Sequence, residues 1–229
     1  METYSRRNQQ FLESDASPLL LRIGFWACIV ISVAVVVRRF VALVNPPKSA
    51  PPQLAALDTA FASHAILTLA HILPALAFVL ILPVYFLGNS TIASFAERLI
   101  FPLGAIVGIT AYAMSAYSIG GWLELSAVLF FNSIFLISLA RAYWFGRRGE
   151  AGLKRRWLVR AVVVLLGIAT TRPVMGVFFA TAPLTHLAPS QFFGIAFWIG
   201  FSINTIVVEL WLRTTRQKSL QIASKPAPG

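Results

Sequence analysis

Cysteine is almost missing from this chain: Cys28 stands alone, which excludes an intramolecular disulfide and any metal site built from paired thiolates. Acidic side chains are scarce as well, eight against nineteen Lys and Arg, and histidine occurs only three times. Charged residues amount to 12%, against roughly 25% for a soluble domain, so a water-soluble globule is excluded. There is no phosphate-cradling Gly-rich loop, no Gly-x-Ser-x-Gly nucleophile turn and no His-Glu-x-x-His pair. The nucleotide hydrolases, serine hydrolases and zinc proteases that those motifs announce have no support.

What is abundant is apolar surface. Hydrophobic residues make up 58% of the 229 positions, and mean hydropathy is +0.76. A net charge of +11 invites a nucleic-acid reading, but the cations flank apolar runs instead of covering a soluble face. No nucleic-acid partner is therefore expected. The pattern predicts an all-α, six-span transmembrane helical bundle, with spans at about 19–44, 62–87, 99–119, 122–145, 157–181 and 191–212. Residues 1–17 read as a disordered tail, 18–212 as the membrane domain and 213–229 as a basic disordered tail.

The first span needs argument, because its uncharged centre, 23–37, is only 15 residues long. Arg22, Arg38 and Arg39 must snorkel towards headgroups for it to cross. A cleaved signal peptide is the competing reading. Glu13 and Asp15 in the preceding segment, and the want of a small-x-small cleavage site, favour a retained helix. After it, Pro46, Pro47, Pro51 and Pro52 predict a stiff extended loop over 45–58. Pro74 and Pro83 fall inside the second span, where neighbouring helices can satisfy the freed carbonyls. Gly104 and Gly108 have the small-xxx-small spacing of close helix packing, and the six tryptophans mostly flank span ends as interfacial anchors.

Charge distribution sets the expected orientation. With the amino terminus inside, Arg98, Arg147, Arg148, Lys154, Arg155, Arg156, Arg213 and Arg216 all fall on the cytoplasmic side. Only Arg38, Arg39 and Lys48 fall outside, so both termini are placed in the cytoplasm. Anionic headgroups are the expected partners of Arg147, Arg148, Lys154, Arg155 and Arg156. Sequence does not indicate an oligomeric state.

This orientation brings the sparse polar residues to one side. His64 and His71 lie in the outer half of the second span, Tyr112 and Tyr117 in that of the third. Glu124 opens the fourth span and His186 lies in the last outer loop. Arg172 sits about nine residues inside the fifth span, roughly 14 Å deep, where a lone cation costs about 2.5–3.5 kcal/mol on insertion scales. The candidate ligand-binding set is Arg172, His71, His64, Tyr117 and Glu124. Arg172 would serve as anion or carbonyl anchor, and His71 as its hydrogen-bond partner. The plainer readings are structural: Arg172 beside the carbonyl that Pro173 frees at Ala169, or beside Glu124 or Tyr117, and His71 as a neutral interhelical hydrogen-bonder. Glu209 is expected to pair with Arg213 one turn on.

A b-type haem has geometric limits. His64 and His71 lie on one helix face about 10.5 Å apart, so they cannot be axial ligands of one iron. Haem would need His71 with His186 or another donor, or His71 alone. A three-His metal site would need His186 folded inward. No cofactor is specified by the sequence.

Two stretches resemble a family of bacterial multi-pass membrane proteins, domain-of-unknown-function family 2306. They are His71-Ile72-Leu73-Pro74, and Lys154-Arg155-Arg156-Trp157-Leu158-Val159-Arg160 followed by Arg172. The second is similar to that family's His-Arg-Arg-Trp-Met-x-Arg segment with a further Arg twelve residues on. Lys154 replaces the opening His, and Glu97-Arg98 stands where the family has His-Arg. The likeness spans about 60–212 and implies a multi-helix membrane architecture with no assigned activity. The expected function is thus a membrane protein with a small-ligand pocket in the outer half of the bundle. The alternatives are a haem or quinone redox protein, and a secondary transporter.

Overall fold

The computed structural model describes residues 19–45, 52–88 and 90–223, and among these every regular element is helical. The helices are α1 (Leu19–Val44), α2 (Pro52–Ala62), α3 (Ala65–Leu87), α4 (Ser90–Ser115), α5 (Gly121–Arg147), α6 (Ala151–Leu165), α7 (Gly167–Thr185) and α8 (Pro189–Ala223). Six stretches are long and apolar enough to cross a membrane, α6 and α7 counting as one. Only 11–39% of each apolar window is buried, and Ile66 and Leu184 are more than 80% exposed. So much outward apolar surface needs a hydrocarbon solvent, and this is an integral, multi-pass membrane protein.

The chain divides into two compact units, residues 1–121 and 122–229. In the first, α3 and α4 form the most extensive helix pair, α1 packs on α3, and α2 touches both α1 and α3. Ala96, Ile100 and Val107 make the buried stripe of α4 at helical spacing, and Phe78 and Leu82 are fully buried on α3. The extended loop expected over 45–58 is overturned from Pro52 onward. Proline fits the first helical position, and the Gln-Leu-Ala-Ala-Leu that follows favours helix. Asp58 then anchors α2 to the end of α1. Arg38 grips both its carboxylate oxygens (3.2 and 3.0 Å), Arg39 Nη1 bonds Oδ1 at 2.6 Å, and the Arg39 guanidinium lies 3.9 Å over Phe61. Two of the three arginines that sequence assigned to snorkelling thus share one carboxylate.

In the second unit α7 pairs most extensively with α8, which also packs on α6. Glycines set the approach. A Cβ on Gly200 would stand 2.7–2.8 Å from the Thr171 Cγ2, N and Cα, and one on Gly194 would meet the Leu123 Cβ and Glu124 N of α5 at 2.6 and 2.7 Å. Aromatic side chains fill the remaining seams: Phe131 of α5 stacks on Phe201 (5.3 Å), and Phe178 of α7 stacks on Phe192 (5.2 Å). The fifth span is interrupted at Leu166, seven residues before Pro173. Helix α8 runs to Ala223 instead of ending near Leu212, because 213–223 holds no Gly or Pro and is rich in helix formers. Helix α4 likewise begins at Ser90, two turns before the expected 99, since Glu97-Arg98 suits a helix as well as a loop. Residues 1–18 and 224–229 lie outside the described residues, and with them all of the first expected tail and the last six residues of the second.

Candidate functional site

The polar residues of the first unit are organised by one antiparallel register. His71 Nδ1 is 2.9 Å from Thr110 Oγ1, and the His64 ring lies against Tyr117, tilted by 31°, with centroids 3.7 Å apart. Seven residues separate the two histidines, and seven separate their partners. His71 on α3 meets Thr110 on α4, while His64, just before α3, meets Tyr117, just after α4, as the antiparallel course of the two helices requires. The next heptad step along α3 is Phe78, fully buried, and there the seam becomes apolar.

Proton positions follow from the hydroxyls. Thr110 Oγ1 lies 2.7 Å from the Ile106 carbonyl, a separation that two oxygens tolerate only with a proton between them. The hydroxyl therefore donates to its own helix and accepts from His71 Nδ1–H. The Val107 carbonyl, 3.1 Å from Thr110 Oγ1, is a second backbone acceptor beside the ring. With the hydroxyl so oriented, the imidazole reads as the Nδ1–H tautomer, leaving Nε2 as the acceptor nitrogen. His64 repeats the device at the break between α2 and α3. Ser63 Oγ donates to the Ala60 carbonyl at 2.8 Å, leaving its lone pair for His64 Nδ1–H at 3.0 Å. Thr68 closes the same break by donating to the Phe61 carbonyl at 3.0 Å.

The remaining candidates belong to the second unit. Arg172 is partly buried, with Nη1 3.6 Å from the Met175 sulfur three residues on along its own helix. Glu124 lies in the first turn of α5, as expected. His186 caps α7 in a left-handed conformation (φ 53°) and is exposed, so it does not fold inward. Among the described residues no three His, Cys, Asp or Glu side chains are gathered to hold a metal ion. A group ligated by a single nitrogen has two candidate donors in the first unit, the Nε2 atoms of His71 and His64, of which only His71 lies within α3.

The ion pair assigned to Glu209 also changes. Its carboxylate takes both Nε and Nη2 of Arg160, bridging α6 and α8, instead of pairing with Arg213. Both arginines offer the same guanidinium, and the packing of α6 on α8 is what brings Arg160 within reach of both carboxylate oxygens.

Sequence reading missed Asn204. It is 8% exposed, donates from Nδ2 to the Val163 carbonyl at 2.9 Å and accepts at Oδ1 from Thr170 Oγ1 at 2.7 Å. Val163 is in the last turn of α6 and Thr170 in the first of α7, so one side chain of α8 brackets the interruption at Leu166. It also satisfies a carbonyl of the kind helix ends leave open. A lone amide in the middle of the last apolar run was the available signal.

Comparison with protein-family models, curated proteins and solved structures finds no match for this chain.

Proposed function

We propose that this chain is a multi-pass protein of the bacterial cytoplasmic membrane that binds a small ligand at His71. Orientation rests on the excess of Lys and Arg in the segments placed inside, which puts both termini in the cytoplasm and the two histidine rungs in the outer half of the bilayer. The observation that carries the reading is the His71–Thr110 contact. An imidazole that donates through Nδ1–H to Thr110 presents Nε2 as an oriented acceptor. Such a nitrogen suits a ligand bringing a proton, such as the hydroxyl of a lipid-soluble hydroquinone. It does not suit a quinone carbonyl, which needs a donor.

The same lone pair favours one second reading, single-nitrogen ligation of a b-type haem, with Thr110 as the outer partner that orients the ligand. Purified wild type and His71→Ala are compared by absorption, oxidised and dithionite-reduced, and by mass spectrometry of extracted lipids. A Soret band lost in His71→Ala selects haem. A co-purifying hydroquinone or other hydroxyl-bearing lipid depleted in the variant selects the leading reading. Two proteins alike in both respects would overturn it.

A further inference from the structure

The second unit carries a dense group of cations that its fold concentrates at one end. The carboxy end of α5, the amino end of α6 and the late part of α8 meet there. The Arg141 guanidinium lies 5.0 Å from the Trp157 ring, the Lys154 methylenes pack where Gly146 has no side chain, and Arg156 Nη2 donates to the Leu212 carbonyl at 2.9 Å. Sequence assigned Lys154 to the membrane surface, yet it is 9% exposed and packs against α5. The surface cations are instead Arg147, Arg148, Arg213 and Arg216, which are exposed, and Arg155 and Arg156, which are partly so. From 141 to 217 only Glu150 and Glu209 are acidic, and Glu209 is engaged by Arg160.

At the seam between α6 and α8, Arg156 donates to a backbone carbonyl, and the charges of Arg216, Arg160 and the Glu209 carboxylate all act on it. Arg213 and Arg216 are three apart on α8 and so share a face. Both lie on α8, which runs on to Ala223.

We propose that Arg156, Arg213 and Arg216 form a phosphate-diester site at the α6–α8 seam, and that its occupant is the headgroup of an anionic phospholipid. Arg160, Arg213 and Arg156 all act on the one carboxylate of Glu209, and Arg216 acts on Arg156, so the seam carries net positive charge. A guanidinium presents paired N–H donors to a phosphodiester. The site narrows the general attraction of basic loops for a negative membrane surface to three named side chains.

The full-length protein in zwitterionic detergent is titrated with phosphatidylglycerol, phosphatidylcholine and inorganic phosphate, with bound species counted by native mass spectrometry. Phosphatidylglycerol is expected to bind, phosphatidylcholine at least fivefold more weakly. Arg216→Gln should weaken phosphatidylglycerol about fivefold, and Arg213→Gln/Arg216→Gln about twenty-five-fold, at roughly fivefold per basic side chain. Arg98→Gln, in the other unit, is the control for overall charge. Arg156→Lys keeps the charge but loses the paired donors, and should weaken binding while the protein stays folded by size exclusion. Equal binding of phosphatidylcholine, an equal loss with Arg98→Gln, or inorganic phosphate displacing the lipid at equal concentration would each overturn the proposal.

Discussion

Asn204→Leu tests how the interrupted fifth span is held. The side chains are close in size, so the change removes two hydrogen bonds without opening a large cavity. The Val163 carbonyl loses its 2.9 Å donor and the Thr170 hydroxyl its 2.7 Å acceptor, both at a residue only 8% exposed. Side-chain hydrogen bonds between membrane helices contribute on average about 0.6 kcal/mol and at most about 1.7 kcal/mol. Two of them together predict a loss of roughly 1–3 kcal/mol. Reversible unfolding of the reconstituted protein with a denaturing detergent measures it. A cycle with Thr170→Val isolates the Thr170 share, expected near 0.6 kcal/mol. An Asn204→Leu protein as stable as wild type, with no coupling to Thr170→Val, would refute the bracket.

Three further perturbations follow from the same contacts. Gly200→Ala places a methyl group 2.7–2.8 Å from Thr171 atoms, two of them backbone, so α7 and α8 must separate. A loss of about 1–3 kcal/mol is expected in the same assay, and an unchanged protein would deny the close approach. Asp58→Asn removes the carboxylate shared by Arg38 and Arg39, and should raise amide hydrogen exchange across α2 while leaving α4 protected. Equal exchange in α2 would show that the clamp does not hold it. Glu209→Gln should cost on the order of 1 kcal/mol, because the Arg160 pair is partly solvated, and the loss should shrink in high salt. A loss independent of salt would contradict an ion pair.

Architecture was legible in the sequence because the membrane writes it in long runs. Six apolar windows survive into the structure, and 19–44 coincides with α1. Short-range errors came from weighting punctuation above propensity. Four prolines suggested a loop where Pro52 only starts a helix, and Arg213 suggested an end where α8 continues. His64, His71 and Tyr117 were found because ionisable and aromatic-polar groups are rare in apolar spans. The structure collects these three in one unit, while Arg172 and Glu124 belong to the other. Thr110 and Asn204 escaped because a hydroxyl or an amide in a span is common, and only a partner on another helix gives it meaning. The heptad offset shared by the two rungs could have supplied Thr110. Glu209 shows the converse limit: neighbours in sequence suggested Arg213, and packing supplied Arg160.

The central claim is that His71 is held as the Nδ1–H tautomer with Nε2 as acceptor. Nitrogen-15 NMR of ring-labelled histidine in the reconstituted protein, assigned with His71→Ala, tests it most directly. A pyrrole-type signal at Nδ1 and a pyridine-type signal at Nε2, both disturbed by Thr110→Val, are the predicted result. The opposite tautomer, or an exchanging mixture untouched by Thr110→Val, would contradict the account.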